Sequence, residues 1–291
     1  MTESKPATTT LPDGRVLAHH EVGDTGGLPV VWCHGGLSSR LDVEFARAGA
    51  ESAHVRLVTI DRPGLGESGR RKGRTVAEWA TDVAAVTDAL GIERFGVVGW
   101  SAGGPHALAC AALLPTRVSA VATIGGMAPV RTRADRKELG LRADRVLVPV
   151  ARHAGWLAAA IFHGASLVKG ERAKRAAIRP FSDADKRVLE PLSADAVTAA
   201  TTAAHAHGVG GLVDDYRAFG APEWGFDLAS ITAPVRIWQG EADAAIPPSV
   251  GRKLAAAIPD AQLQLVPDAG HFLVLEHGQQ VFERLLTEGR G

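Results

Sequence analysis

Phe95-Gly96-Val97-Val98-Gly99-Trp100-Ser101-Ala102-Gly103-Gly104 sets a serine between glycines directly after an apolar, strand-like run, and the reading of this stretch decides the fold. A serine on a sharp strand-to-helix turn adopts strained backbone angles, so small neighbours are needed on both sides to keep strand and helix from clashing. The spacing predicts a helix after the turn, because Gly103 to Leu114 consists of small and helix-forming residues and stops at Pro115. Such a turn lifts Ser101 Oγ clear of the sheet. It also leaves the Ala102 N–H at a helix N-terminus, where unpaired donors and the helix dipole favour negative charge. Among 33 glycines a Gly-x-Ser-x-Gly spacing arises by chance, so the flanking strand and helix carry the reading.

Outward from this turn, short apolar runs alternate with helical patterns, which predicts a mainly parallel sheet covered on both faces. Arg15 to Val22, Pro29 to Cys33, Val55 to Ile60 and Val118 to Ile124 read as further strands, and 234–238 and 262–266 as the last two. Thr75 to Leu90 sets Trp79, Val83, Val86 and Leu90 on one helical face and ends at Gly91. Phe272 to Leu286 reads as a closing amphipathic helix. Between Met127 and Trp224 the chain becomes Ala- and Arg-rich, helical in period and without clear strands. The expected organisation is a disordered lead (1–10), an α/β core (11–126 and 225–291) and a helical cap (127–224).

Ligands in open α/β sheets bind beyond the carboxyl ends of the strands, so the polar residues there are the candidates. Asp243 follows the strand 234–238, and His271 follows the last strand and opens the final helix. A serine hydroxyl is a poor nucleophile near neutral pH, so Ser101 needs a base that is neutral there and can return a proton to the leaving group. His271 fits both tasks, and Asp243 orients it through its other ring nitrogen. His34-Gly35-Gly36-Leu37, after the second apolar run, offers a close-approaching turn whose Gly36 or Leu37 N–H would join the Ala102 N–H in an oxyanion hole. Trp100, beside the serine, and Trp156, in the cap, are the candidate substrate-binding aromatics. Asp61 reads as the residue that fixes the Arg62-Pro63-Gly64 turn, and Asp268 as a turn aspartate.

On His34-Gly35-Gly36, Asp61-Arg62-Pro63-Gly64-Leu65-Gly66-Glu67-Ser68, Gly99 to Gly104, Gly240 to Asp243 and Gly270-His271, the chain resembles the α/β-hydrolase superfamily of serine hydrolases with an inserted helical cap. The order Ser101, Asp243, His271 is the order of that superfamily's triad. The resemblance spans nearly the whole length and implies the α/β-hydrolase fold; no cofactor is expected. Ester, thioester and C–C bond hydrolases, acyltransferases and lyases share these motifs, as do non-catalytic binding proteins. Relatives that act on halides or epoxides place aspartate where Ser101 stands, and proline-directed peptidases usually carry proline where Leu37 stands. The leading expectation is hydrolysis of a carboxylic ester through an acyl-enzyme on Ser101.

Composition excludes other classes. The 291 residues carry 32 Lys and Arg against 32 Asp and Glu, so no global field attracts nucleic acid or an anionic membrane. The basic run Arg70-Arg71-Lys72-Gly73-Arg74 interleaves no aromatics and reads as solvated surface. The eleven histidines show no zinc spacing, so no metal is expected. The polar N-terminus lacks a signal-peptide core, and Cys33 and Cys110 fall in apolar elements, which suits a cytoplasmic protein with free thiols. The partner implied by an Ala-rich cap is a small molecule with an apolar acyl group.

Overall fold

The computed structural model describes residues 6–289. Eight strands form one sheet: β1 (Ala7–Thr10), β2 (Val16–Gly23), β3 (Leu28–Cys33), β4 (Val55–Ile60), β5 (Phe95–Trp100), β6 (Val118–Ile124), β7 (Val235–Gly240) and β8 (Gln262–Val266). Their order is β1-β2-β4-β3-β5-β6-β7-β8, with the β1–β2 and β2–β4 pairs antiparallel and the rest parallel. The central strands are apolar throughout because both faces are covered. Val31, Cys33 and Val97 face one cluster, whereas their chain neighbours Val30, Trp32 and Val98 face the other.

Helices α1 (Arg47–Ser52), α2 (Glu78–Ala89) and α3 (Gly103–Leu113) belong to the first half of the core. The insertion after β6 holds α4 (Arg133–Glu138), α5 (Arg142–His153), α6 (Gly155–Ser166), α7 (Gly170–Ile178), α8 (Asp183–Leu189), α9 (Ala194–Ala204) and α10 (Gly210–Phe219). Helices α11 (Pro248–Ala257) and α12 (Val274–Glu288) complete the chain. Trp79, Val83 and Val86 of α2 pack with α3 and α11 on one face of the sheet. Helices α1 and α12 cover the other face and touch backbone to backbone, where a side chain at Gly49 would meet Gly278. No helix among the described residues is long and apolar enough to cross a membrane.

One boundary is corrected. Residues 1–10 read as a disordered lead, yet Ala7–Thr10 forms β1 and pairs with Val16–His19. An edge strand is held by main-chain hydrogen bonds and needs no apolar face, and three β-branched threonines suit extended backbone. Residues 1–5 lie outside the described residues.

Candidate active site

Ser101 stands between β5 and α3 with φ of 55°, in the left-handed region that L-residues enter only under constraint. The constraint is visible in its neighbours. A Cβ on Gly99 would lie 2.5 Å from the Gly103 carbonyl oxygen, and one on Gly103 would collide with the Cys33 carbonyl. The Ser101 N–H donates to the Ile124 carbonyl (2.9 Å), and the Ser101 carbonyl accepts from the Gly104 and Met127 N–H groups (3.0 and 3.3 Å). Ala102 caps α3, so its N–H has no intrahelical partner. The side chain of Ser101 is half-buried.

The turn after β3 lies against this elbow. A Cβ on Gly36 would sit 3.3 Å from Ala102 Cβ and 3.8 Å from the Phe219 ring, and one on Gly35 would sit 3.0 Å from the Trp100 indole. Leu37 takes a φ of 53°, a second strained residue beside the serine.

The carboxyl ends of β7 and β8 bring Asp243 and His271 together. His271 Nδ1 donates to Asp243 Oδ2 at 2.9 Å, which leaves the Nε2 lone pair free. Asp243 is itself fixed, because its Oδ1 accepts the Ala245 and Ile246 N–H groups, both at 2.8 Å. Both side chains are buried. Burial opposes the charged imidazole, but the Asp243 carboxylate and its hydrogen bond, then Asp185 and Asp144, outweigh it and hold His271 above the ordinary histidine range. Asp268 is exposed and makes no hydrogen bond to His271 among the described residues.

Two residues join the pair to the elbow. Trp100 Nε1 donates to the His271 carbonyl at 3.0 Å, and the two rings stand 5.5 Å apart. Gly125, with φ of 52°, ends β6 where a Cβ would lie 2.9 Å from both Asp243 Oδ2 and His271 Nδ1. In the sequence Gly125 simply follows the strand Val118 to Ile124; the signal that could have found it is the missing side chain.

A set of buried charges grips the turn after β3 and was invisible as a site in the sequence. Asp42 accepts the Gly35 N–H (2.8 Å), the Ser38 hydroxyl (2.9 Å) and the Trp32 indole N–H (2.7 Å). Burial pushes its pKa up to about 6 against those three bonds. From the other side the Arg62 guanidinium donates to the carbonyls of His34 (2.5 Å) and Gly35 (2.7 Å), and the Arg62 N–H donates to His34 Nε2 (3.1 Å). Arg62 in turn makes two 2.8 Å bonds to Asp215 of α10, and Arg74 makes a third. Asp61 accepts the Arg40 and Glu67 N–H groups (2.7 and 3.0 Å) and the Arg40 guanidinium (2.5 Å), so its carboxylate ties the end of the 61–67 loop to Arg40 and, among the described residues, does not bond the Arg62-Pro63-Gly64 turn itself.

Three expectations are corrected by this geometry. The run 70–74 is solvated only in part: Arg70, Lys72 and Gly73 are exposed, but Arg70 also pairs with Asp214 at 2.7 Å and Arg74 is buried against Asp215, because α10 presents two adjacent aspartates to it. Trp100 is only 6% exposed and serves as the wall behind His271, packed against Phe45 and Phe272, rather than as an open binding surface. Trp156 is 77% exposed, because Ala158 and Phe162 take the inner face of α6 and leave the indole outside.

The family profile of the alpha/beta hydrolase fold matches residues 29–278, and the chain belongs to that family. It is 27% identical to the 2-hydroxy-6-oxononadienedioate/2-hydroxy-6-oxononatrienedioate hydrolase of Burkholderia vietnamiensis, over 96% of this chain and 92% of that one. It is also 27% identical to the dihydrolipoyllysine-residue acetyltransferase component of the acetoin cleaving system of Pseudomonas putida, over 94% of this chain and 66% of that protein. Among solved structures, a bromoperoxidase from Bacillus anthracis superposes with a TM-score of 0.75 at 21% identity, over 99% of this chain and 100% of that one, a likeness of fold.

Proposed function

We propose that this protein hydrolyses a carboxylic ester through an acyl-enzyme on Ser101. The observation that carries the reading is the buried Asp243–His271 pair, tied by Trp100 and Gly125 to a serine in the left-handed conformation. Ser101 Oγ attacks the ester carbonyl as His271 Nε2 takes its proton, and the carbonyl oxygen becomes an oxyanion between the Ala102 N–H and the N–H of Gly36 or Leu37. The C–O bond to the alcohol breaks and His271 protonates the departing oxygen. Water then surrenders a proton to His271 and attacks the acyl carbon, releasing the acid and restoring Ser101. The acyl group rests against Leu37 and Phe219, apolar side chains beside the elbow. The helical insertion acts as the cap over this site.

C–C bond hydrolysis is the second reading, favoured by the similarity to the dienedioate hydrolase. Electrostatics weighs against it. A dioate carries two negative charges, whereas the charged side chains that reach His271 are the acids Asp243, Asp185 and Asp144, and Arg62 and Arg74 are both spent on Asp215. A neutral ester meets no such repulsion.

Exposure to a fluorophosphonate probe tests the nucleophile. Intact-mass spectrometry should find one adduct on the wild type and none on Ser101→Ala, and ester turnover in that variant should fall by about four orders of magnitude or more. Wild-type-like turnover in Ser101→Ala removes the reading. Turnover of a dienedioate with none of any ester transfers it to C–C cleavage.

A further inference from the structure

The insertion touches the His271 loop through α8 and the residues before it, and a charge is buried at that contact. Asp185 of α8 is fully buried. Its Oδ1 accepts the Phe272 N–H at 2.8 Å, and its Oδ2 accepts the Ser182 hydroxyl at 2.7 Å. Gly270 leaves the room: a Cβ there would collide with the Asp185 carboxyl group. Four residues earlier, Phe181 lays its ring nearly parallel to the His271 imidazole, with centroids 5.7 Å apart and planes 22° apart. The short segment from Phe181 to Asp185 thus holds His271 by its ring face and by the peptide that follows it.

We infer that Asp185 is a positioning residue for His271: a carboxylate contributed by the insertion that fixes the histidine loop and supports the protonated ring alongside Asp243. This rests on the role proposed above for His271 as the base. Closing a buried N–H of the loop with a carboxylate is a strong, charge-assisted hydrogen bond, which locks the loop more firmly than a neutral acceptor does. The same charge favours the imidazolium that forms when Ser101 is deprotonated. The charged groups facing His271 are Asp243 from the loop after β7, Asp185 from α8 and Asp144 from α5, while Trp100 and Phe181 flank it without charge. Asp144 is occupied by the Tyr216 hydroxyl at 2.8 Å, and only Asp185 also bonds the histidine loop. Asp185 also closes the capping box of α8 with Ser182, so a purely structural role is the competing explanation.

An NMR titration of the His271 ring in the full chain separates the two, with His271→Gln used to assign the resonance. In Asp185→Asn, which keeps an acceptor oxygen for the Phe272 N–H, the His271 pKa should fall by about half a pH unit. Ser182→Ala, which removes the cap hydroxyl and leaves the carboxylate, should leave that pKa where it is. Should Asp185→Asn not fold, Gly270→Ala displaces the carboxylate without changing its charge and should lower the pKa in the same direction. An unchanged His271 pKa in folded Asp185→Asn overturns the inference, because a helix cap alone does not tune the ring. The titration needs no turnover, so it remains decisive even if Ser101 proves not to be a nucleophile. Where the probe does label Ser101, Asp185→Ala should label about tenfold to a hundredfold more slowly, the cost of a loosened base.

Discussion

The insertion meets the rest of the molecule in two different manners. Helices α8 and α10 reach the core with carboxylates: Asp185 holds the Phe272 N–H, Asp214 pairs with Arg70, and Asp215 pairs with Arg62 and Arg74. Helices α5 and α6 pack on each other and on α10 largely through apolar contacts such as Phe162 against Tyr216, with ring centroids 5.2 Å apart, and their polar bonds, Tyr216 to Asp144 and Arg217 to the Ala151 carbonyl, stay within the insertion. Outward, the α6 region turns Trp156, Leu157, Ile161, Leu167 and Val168 to the surface. Buried ion pairs are poor at adding stability but costly to break, and they tolerate few geometries. Apolar contact is strong but permissive. The polar anchors therefore set where the insertion sits on the core, and the apolar helices fill out its bulk.

The largest effect that could break this contrast is at Asp215. Asp215→Ala leaves Arg62 and Arg74 buried without a partner, and we expect a loss of about 3–5 kcal/mol in denaturant unfolding. Because Arg62 holds the His34 and Gly35 carbonyls, kcat should fall by about a hundredfold with KM little changed. A variant within 1 kcal/mol of wild type, a bound set by the ordinary surface substitution, would mean that the anchor does not specify the fit.

Acid should sharpen the contrast. Burial raises the Asp215 pKa, but Arg62 and Arg74 more than reverse this and hold it well below the usual carboxylate range. A depressed folded-state pKa contributes stability that is present above the unfolded-state value of about 3.9 and is lost as pH falls toward the folded value. Stability measured by urea titration should therefore decline below about pH 4, and the decline should be shallower in Asp215→Ala. Activity follows a separate group. His271 must be neutral to accept a proton and its pKa is raised, so kcat/KM should climb through an inflection above the ordinary histidine value of about 6.5. An inflection below that value would remove the acidic surroundings from the account of the site.

The smallest effect is expected at Trp156. Trp156→Ser on the outer face of α6 should change unfolding free energy by about 0.5 kcal/mol or less and leave substrate preference intact. A changed preference would bring the apolar helices back into the site.

What was legible in the sequence follows the range over which each signal acts. The Ser101 turn, the His34-Gly35-Gly36 turn and the loops bearing Asp243 and His271 are set by neighbours within a few residues, so spacing and small side chains reveal them. Arg62 and Asp215 lie 153 positions apart, and Asp185 lies 87 from Phe272, distances at which no local pattern reports a partner. Trp156 was misread because α6 is apolar on both faces, so periodicity cannot tell inside from outside. Ala7–Thr10 was misread because backbone pairing, not apolar patterning, makes an edge strand.

The fork of Arg62 has a further consequence for engineering. One guanidinium group spans the junction, bonded to α10 on one side and to the His34 and Gly35 carbonyls on the other. The insertion is therefore not an interchangeable cassette. A chimera that grafts another insertion onto this core inherits an orphaned cation under the turn after β3, unless the donor segment brings an acid to the place of Asp215. Grafts chosen for that one acid should keep the turn intact, whatever the rest of their sequence.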